Sequence, residues 1–152
     1  MIKEKVSYMD VVRTEEGFEE KEKESMVRFL FSVSALRLYE QKTGRKFFKD
    51  YGKISNILLK YISSMFKDKK DLNNLTQSEA LQLTPLLTDS QTNEFLFDLI
   101  PCLYVKIFDG KYVQNEETYD ECMDSIWMME LINMPFFMKI FQELSSFKSK
   151  KK

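Results

Sequence analysis

At 152 residues, with 43% apolar and 14% aromatic content, the chain is sized for one globular domain with a real core. Its formal charge of −1 excludes the excess of Lys and Arg that general nucleic-acid binding requires. The absence of histidine excludes His–Ser and His–Cys nucleophiles and histidine metal sites, and two cysteines, Cys102 and Cys122, make neither a disulfide framework nor a four-ligand zinc site.

The opening MIKEKVSYMD carries no long apolar stretch, and no apolar run reaches the roughly 18 residues of a membrane span. The expectation is a soluble, reduced, cytoplasmic protein. A short strand is expected around Val6-Ser7-Tyr8-Met9. Thr14 to Ser25, TEEGFEEKEKES, reads as a solvated loop or exposed helix, or functionally as an acidic arm for a basic partner. Met26 to Phe31 is apolar and leads into Ser32 and Ser34, either of whose hydroxyls can cap a helix. Ala35, Leu38 and Tyr39 form that helix's apolar face, Gly44 stops it, and Phe47-Phe48 follow. Ile54, Ile57, Leu58, Tyr61, Ile62, Met65 and Phe66 then give the cleanest amphipathic helix, with polar Lys67 to Asn74 ending it.

Thr76-Gln77-Ser78-Glu79 has the form of a capping box, and Pro85 suits the first position of a further helical turn. Phe95 to Phe108 is apolar at helical spacing; Pro101 should kink or divide it, and Asp109-Gly110 should stop it. Thr118-Tyr119-Asp120-Glu121 reads as another capping box. Pro135 should break or bend the segment that begins there, Phe137, Ile140, Phe141 and Leu144 line the last helix, and a basic tail is expected to fray. With only four glycines and three prolines, hairpin-rich sheets are disfavoured. The predicted fold is mainly α: a single compact domain of five to seven helices with at most a small N-terminal β-hairpin. Residues 1–25 form a charged lead-in, 26–147 the helical domain and 148–152 the basic tail.

The chemistry-bearing residues make no case for an enzyme, a metal or a cofactor. Glu116, Glu117, Asp120, Glu121 and Asp124 are the densest acidic cluster, and a helix start explains them without a metal. More informative is Ile126 to Phe147, where apolar residues fall on most helix faces. One reading is a central helix; the other gives one face to the core and another to a partner, for which methionine's adaptable thioether is suited. On the second reading Trp127, Met128, Met134, Phe136 and Met138 are the partner-binding residues, and exposed apolar surface also favours self-association.

The series Ala35-Leu36-Arg37-Leu38-Tyr39-Glu40, then Gly44, then Phe47-Phe48, with Thr118-Tyr119-Asp120-Glu121 later, resembles the tail assembly chaperones of long-tailed bacteriophages and prophages, especially those of Gram-positive hosts. The resemblance spans roughly Met26 to Leu144. It implies a small helical protein of the host bacterial cytoplasm, absent from the mature virion, that coats the tape measure protein and helps recruit tail tube subunits. It implies no catalytic residue; composition, as above, gives the expectation of no membrane and no nucleic acid among its partners. In this family a longer form often arises by ribosomal frameshift, and the lysine-rich Lys148 to Lys152 would suit a slippery run. The chain departs from the family in Met1 to Ser25, which is longer and more acidic than the usual lead-in. The alternatives are a helical phage or bacterial regulator binding one host protein, or a carboxylate–metal enzyme on a helical scaffold.

Overall fold

The computed structural model describes residues 1–66 and 75–150, with side chains described through residue 146. The polar stretch expected at Lys67 to Asn74 lies outside the described residues, as do Lys151 and Lys152. The elements are β1 (Ile2–Thr14), β2 (Gly17–Phe29), α1 (Val33–Thr43), α2 (Phe47–Met65), α3 (Gln77–Leu81), α4 (Ser90–Leu103), β3 (Tyr104–Phe108), β4 (Lys111–Val113), α5 (Glu116–Met123) and α6 (Met134–Lys150), with single 3-10 segments at Thr84–Thr88 and Ile126–Leu131.

The mainly α expectation is overturned. Four antiparallel strands form a sheet in the order β1-β2-β3-β4, and the N-terminal hairpin is long, not small. Its strands pair in unbroken register from Ile2 opposite Phe29 to Thr14 opposite Gly17. At about 3.4 Å per residue, each 13-residue strand is about 40 Å long. Apart from the turn at Glu15 and Glu16, the charge block is therefore strand, not an exposed helix or an extended loop. Cross-strand ion pairs Lys5–Glu24 at 2.9 Å and Asp10–Lys23 at 2.8 Å show how charged residues are accommodated on an open ladder. Glu15 and Glu16 make the two-residue turn, and Gly17, at φ +129°, takes the backbone conformation that side chains disfavour.

Only the base of the hairpin packs. Ile2, Val6, Val27 and Phe29 are buried on its inner face, and no residue between Met9 and Glu22 is buried. The outer half therefore projects as an arm. The base is anchored by Phe29, which meets Phe136 of α6 edge-on at 5.1 Å, and by contacts of Lys139 with Glu4 and of Glu143 with the N-terminal amine.

The helix starts follow local rules. Ser32 Oγ accepts from Ala35 N–H at 3.1 Å, and Gly44, at φ +71°, closes α1 in the left-handed conformation. Thr76 and Glu79 make the expected capping box. The later box is displaced: Asn115 caps α5 and Thr118 reaches back to it, three residues before the expected start. Pro101 ends α4 within a turn, and Tyr104 onward is strand, because Asp109 (φ +51°) and Gly110 (φ +75°) turn a β3–β4 hairpin and do not stop a helix. The backbone of α6 is helical through Lys150, where a frayed tail was expected. No helix among the described residues is long and apolar enough to cross a membrane.

The core lies between the sheet base and the helices, with α4 against α1, α2 and α5. Tyr39, Phe47 and Phe95 pack ring to ring at its centre. Gln114 joins the strand ends: its amide donates to Leu30 O and Leu103 O, both at 2.9 Å.

Candidate functional site

The five residues expected to meet a partner are placed in the core or at its margin. Trp127, Met128, Met134 and Phe136 are buried, and Met138 is half-buried against the same cluster. Trp127 packs on Tyr104 at 5.5 Å and Phe136 on Phe29. The Met-aromatic run is apolar on most faces because core surrounds it on most faces. The expected exposure of these residues is thus not met, and among the described side chains of this region the exposed large apolar ones are Ile126 and Met129.

A polar network sits between α1, α2 and α4. The buried Tyr39 hydroxyl donates to Asp50 Oδ2 at 2.6 Å, Arg45 Nε donates to the same oxygen at 2.8 Å, and a terminal Arg45 nitrogen donates to Asp98 Oδ2 at 2.7 Å. Burial acts to raise the Asp50 carboxyl, but hydrogen bonds from Tyr39 and Arg45 outweigh it and hold the group below the usual carboxylate range. Burial and the Asp50 acceptor push the Tyr39 hydroxyl well above its ordinary value. A cleft of about 220 Å³ opens beside the network, lined also by Lys53, Gln91 and Glu94. Arg45 is engaged by two carboxylates, so the network's evident work is to lock three helices together just after the Gly44 stop.

The two cysteines are fully buried. Burial pushes each thiol up to about 12, with the neighbouring Asp98 adding to the shift at Cys102 and Cys102 itself adding to it at Cys122. Thiolate is therefore scarce near neutrality. Neither cysteine should react with Ellman's reagent at pH 8 until denaturant is added; prompt reaction in the native state would contradict their placement. Two of the five acids of the α5 cluster are engaged by cations: Glu116 with Lys42 at 3.8 Å and Glu121 with Lys106 at 3.1 Å. No group of three potential metal ligands is assembled among the described residues.

What the structure does expose is the outer face of the arm. In an antiparallel pair, residues directly opposite share a face. The register therefore puts Met9, Val11 and Arg13 of β1 beside Glu22, Glu20 and Phe18 of β2, with Lys5 opposite Met26 nearer the base. Phe18 is 78% exposed, Val11 60%, Met9 53% and Met26 51%. Glu24 is held by Lys5, whereas Glu20 and Glu22 have no ion-pair partner among the described residues. From Met9 to Glu22 there are six acidic and two basic residues, so this half of the arm carries −4 in a chain whose total is −1. The sequence signal for this face was the alternation Met9, Val11, Arg13, which the charge run of β2 obscured. A second exposed apolar group, Ile107, Phe108 and Tyr112, lies on the β3–β4 hairpin.

Compared with known proteins, the chain matches no family model, no curated protein and no solved structure.

Proposed function

We propose that the chain is a non-catalytic binding protein of the phage tail assembly chaperone type, which keeps a tape measure protein soluble and helps recruit tail tube subunits. The observation that carries the binding role is the arm, where Met9, Val11 and Phe18 stand exposed beside the uncompensated Glu20 and Glu22. An apolar row next to a carboxylate row fits amphipathic client segments with basic flanks. Methionine adapts such a surface to varied shapes. The tape measure assignment comes from the sequence resemblance around Ala35 to Phe48 and Thr118 to Glu121. Each contact is weak, and many copies along one long client make the total large.

Co-expression with a tape measure protein of the same genome tests this. The wild-type chain should yield a soluble complex with many copies per client. A variant with Met9→Thr, Val11→Thr and Phe18→Thr should stay folded, because these side chains are exposed and threonine suits a strand without setting a like charge opposite Glu20 or Glu22, and should leave the client insoluble. An insoluble client beside soluble wild-type protein would remove the chaperone reading. Recovery of one host protein at fixed stoichiometry would favour a regulator.

A further inference from the structure

We infer that the free edge of β2 is a strand-addition site for an extended partner segment with basic residues at alternate positions. Leu30 N–H donates to Leu103 O at 2.8 Å, on the β3 side and away from β1. N–H groups along a strand alternate between its two edges. Those of Phe18, Glu20, Glu22, Glu24 and Met26, which share Leu30's parity, therefore also face away from β1. Yet β3 pairs with β2 only at Arg28 and Phe29. Among the described residues, no strand covers the nine positions from Phe18 to Met26, an edge about 30 Å long. The edge of β1 differs, since Glu130 caps Ser7 N–H at 3.3 Å and α6 holds Glu4.

Charge then selects the occupant. The outer row of this edge reads Phe18, Glu20, Glu22, Glu24, Met26. A second copy pairing β2 antiparallel about its centre would set Glu22 against Glu22 and Glu20 against Glu24, and like charges directly opposite are unfavourable. The same row favours a strand whose matching positions are apolar, basic, basic, basic, apolar. The row is symmetric about Glu22, so it accepts that strand in either direction. Exposed strand edges are commonly blunted by charge; here the outer row is of one sign, and on the other face the same self-pairing would set Lys21 against Lys23, so both faces reject a second copy while the outer row admits an opposite partner. This inference rests on the edge and its charges and holds whether or not the client is a tape measure protein.

The probe is a fluorescein-labelled nine-residue peptide, Val-Thr-Lys-Thr-Lys-Thr-Lys-Thr-Val, titrated with the full chain and followed by anisotropy at low salt. Two analogues carry N-methyl groups, one on the three lysine nitrogens and one on the threonine nitrogens between and beside them. Only one of these sets faces β2. The parent peptide should bind, one analogue should lose binding, and the other should keep it: loss with methylated lysines means an antiparallel strand, loss with methylated threonines a parallel one. The double variant Glu20→Lys, Glu22→Lys should weaken the parent by at least about tenfold, while its circular dichroism stays that of the wild type. No binding by the parent, equal behaviour of the two analogues, or unchanged affinity in the double variant would each overturn the inference.

Discussion

Phe136→Ala should lower stability by about 3–5 kcal/mol, the usual cost of emptying a buried aromatic site. Phe136 is 1% exposed, and its ring meets Phe29 at the base of the arm. Removing it leaves a cavity where α6 holds the sheet. The control is Phe18→Ala, which should stay within about 0.5 kcal/mol of wild type because Phe18 touches mainly solvent. Urea unfolding reads both. The effect on client binding should run the other way: Phe18→Ala weakens it without unfolding the chain. If Phe136→Ala unfolds at the wild-type midpoint, the packing of α6 on the sheet is wrong.

Asp50→Ala should cost about 2–3 kcal/mol. The buried Tyr39 hydroxyl loses its 2.6 Å acceptor, and a buried polar group left unpaired costs about 1–3 kcal/mol. Arg45 adds little, since its side chain is 42% exposed, water screens it, and Asp98 still receives it. The same network gives stability a pH dependence with two limbs. Asp50 is held below its unfolded value of about 3.9. Its contribution is therefore complete above that value and is lost as pH falls through the folded value. Tyr39 is raised, so its contribution is complete below the unfolded value of about 10 and is lost as pH climbs toward the folded one. Asp50→Asn should flatten the acid limb and Tyr39→Phe the alkaline limb, measured as urea midpoints across pH. An acid limb unchanged in Asp50→Asn would assign it to other carboxylates.

The turn at Asp109-Gly110 offers a smaller test. Gly110→Val should destabilise the β3–β4 hairpin by about 1 kcal/mol or more, because φ +75° strains a β-branched residue although nothing crowds its Cβ. Faster amide exchange at Lys106 and Val113, with the helices unaffected, would show it.

Helix α1 was legible because everything that defines it is local: a serine whose oxygen reaches Ala35, an apolar face, and a glycine that accepts a left-handed conformation. Much the same holds for α2, where Ile54, Leu58 and Ile62 are buried as their spacing implied although Met65 of the same predicted face is exposed, and for the Thr76–Glu79 box. The arm was not legible. Its turn is Glu-Glu, without an Asn-Gly or Asp-Gly signal, and β2 reads as a charge run until its partner is known. Lys5 finds Glu24 and Asp10 finds Lys23 only once the register is set, across separations no local window spans. Asp109-Gly110 carried a hairpin signal but, following a helical pattern, read as a stop.

The same division governs the candidate site. Sequence alone determined the absence of histidine chemistry, the burial-prone cysteines, a serine cap for α1, the capping box of α3, and a Met-aromatic segment apolar on most faces. The tertiary structure decided which apolar residues face water. Trp127 and Phe136 are covered because Tyr104 and Phe29 arrive from distant parts of the chain, while Phe18 stays bare because, among the described residues, nothing packs beside the end of a 40 Å hairpin. Exposure is a property of what comes to lie alongside a residue, and periodicity along one segment does not contain it.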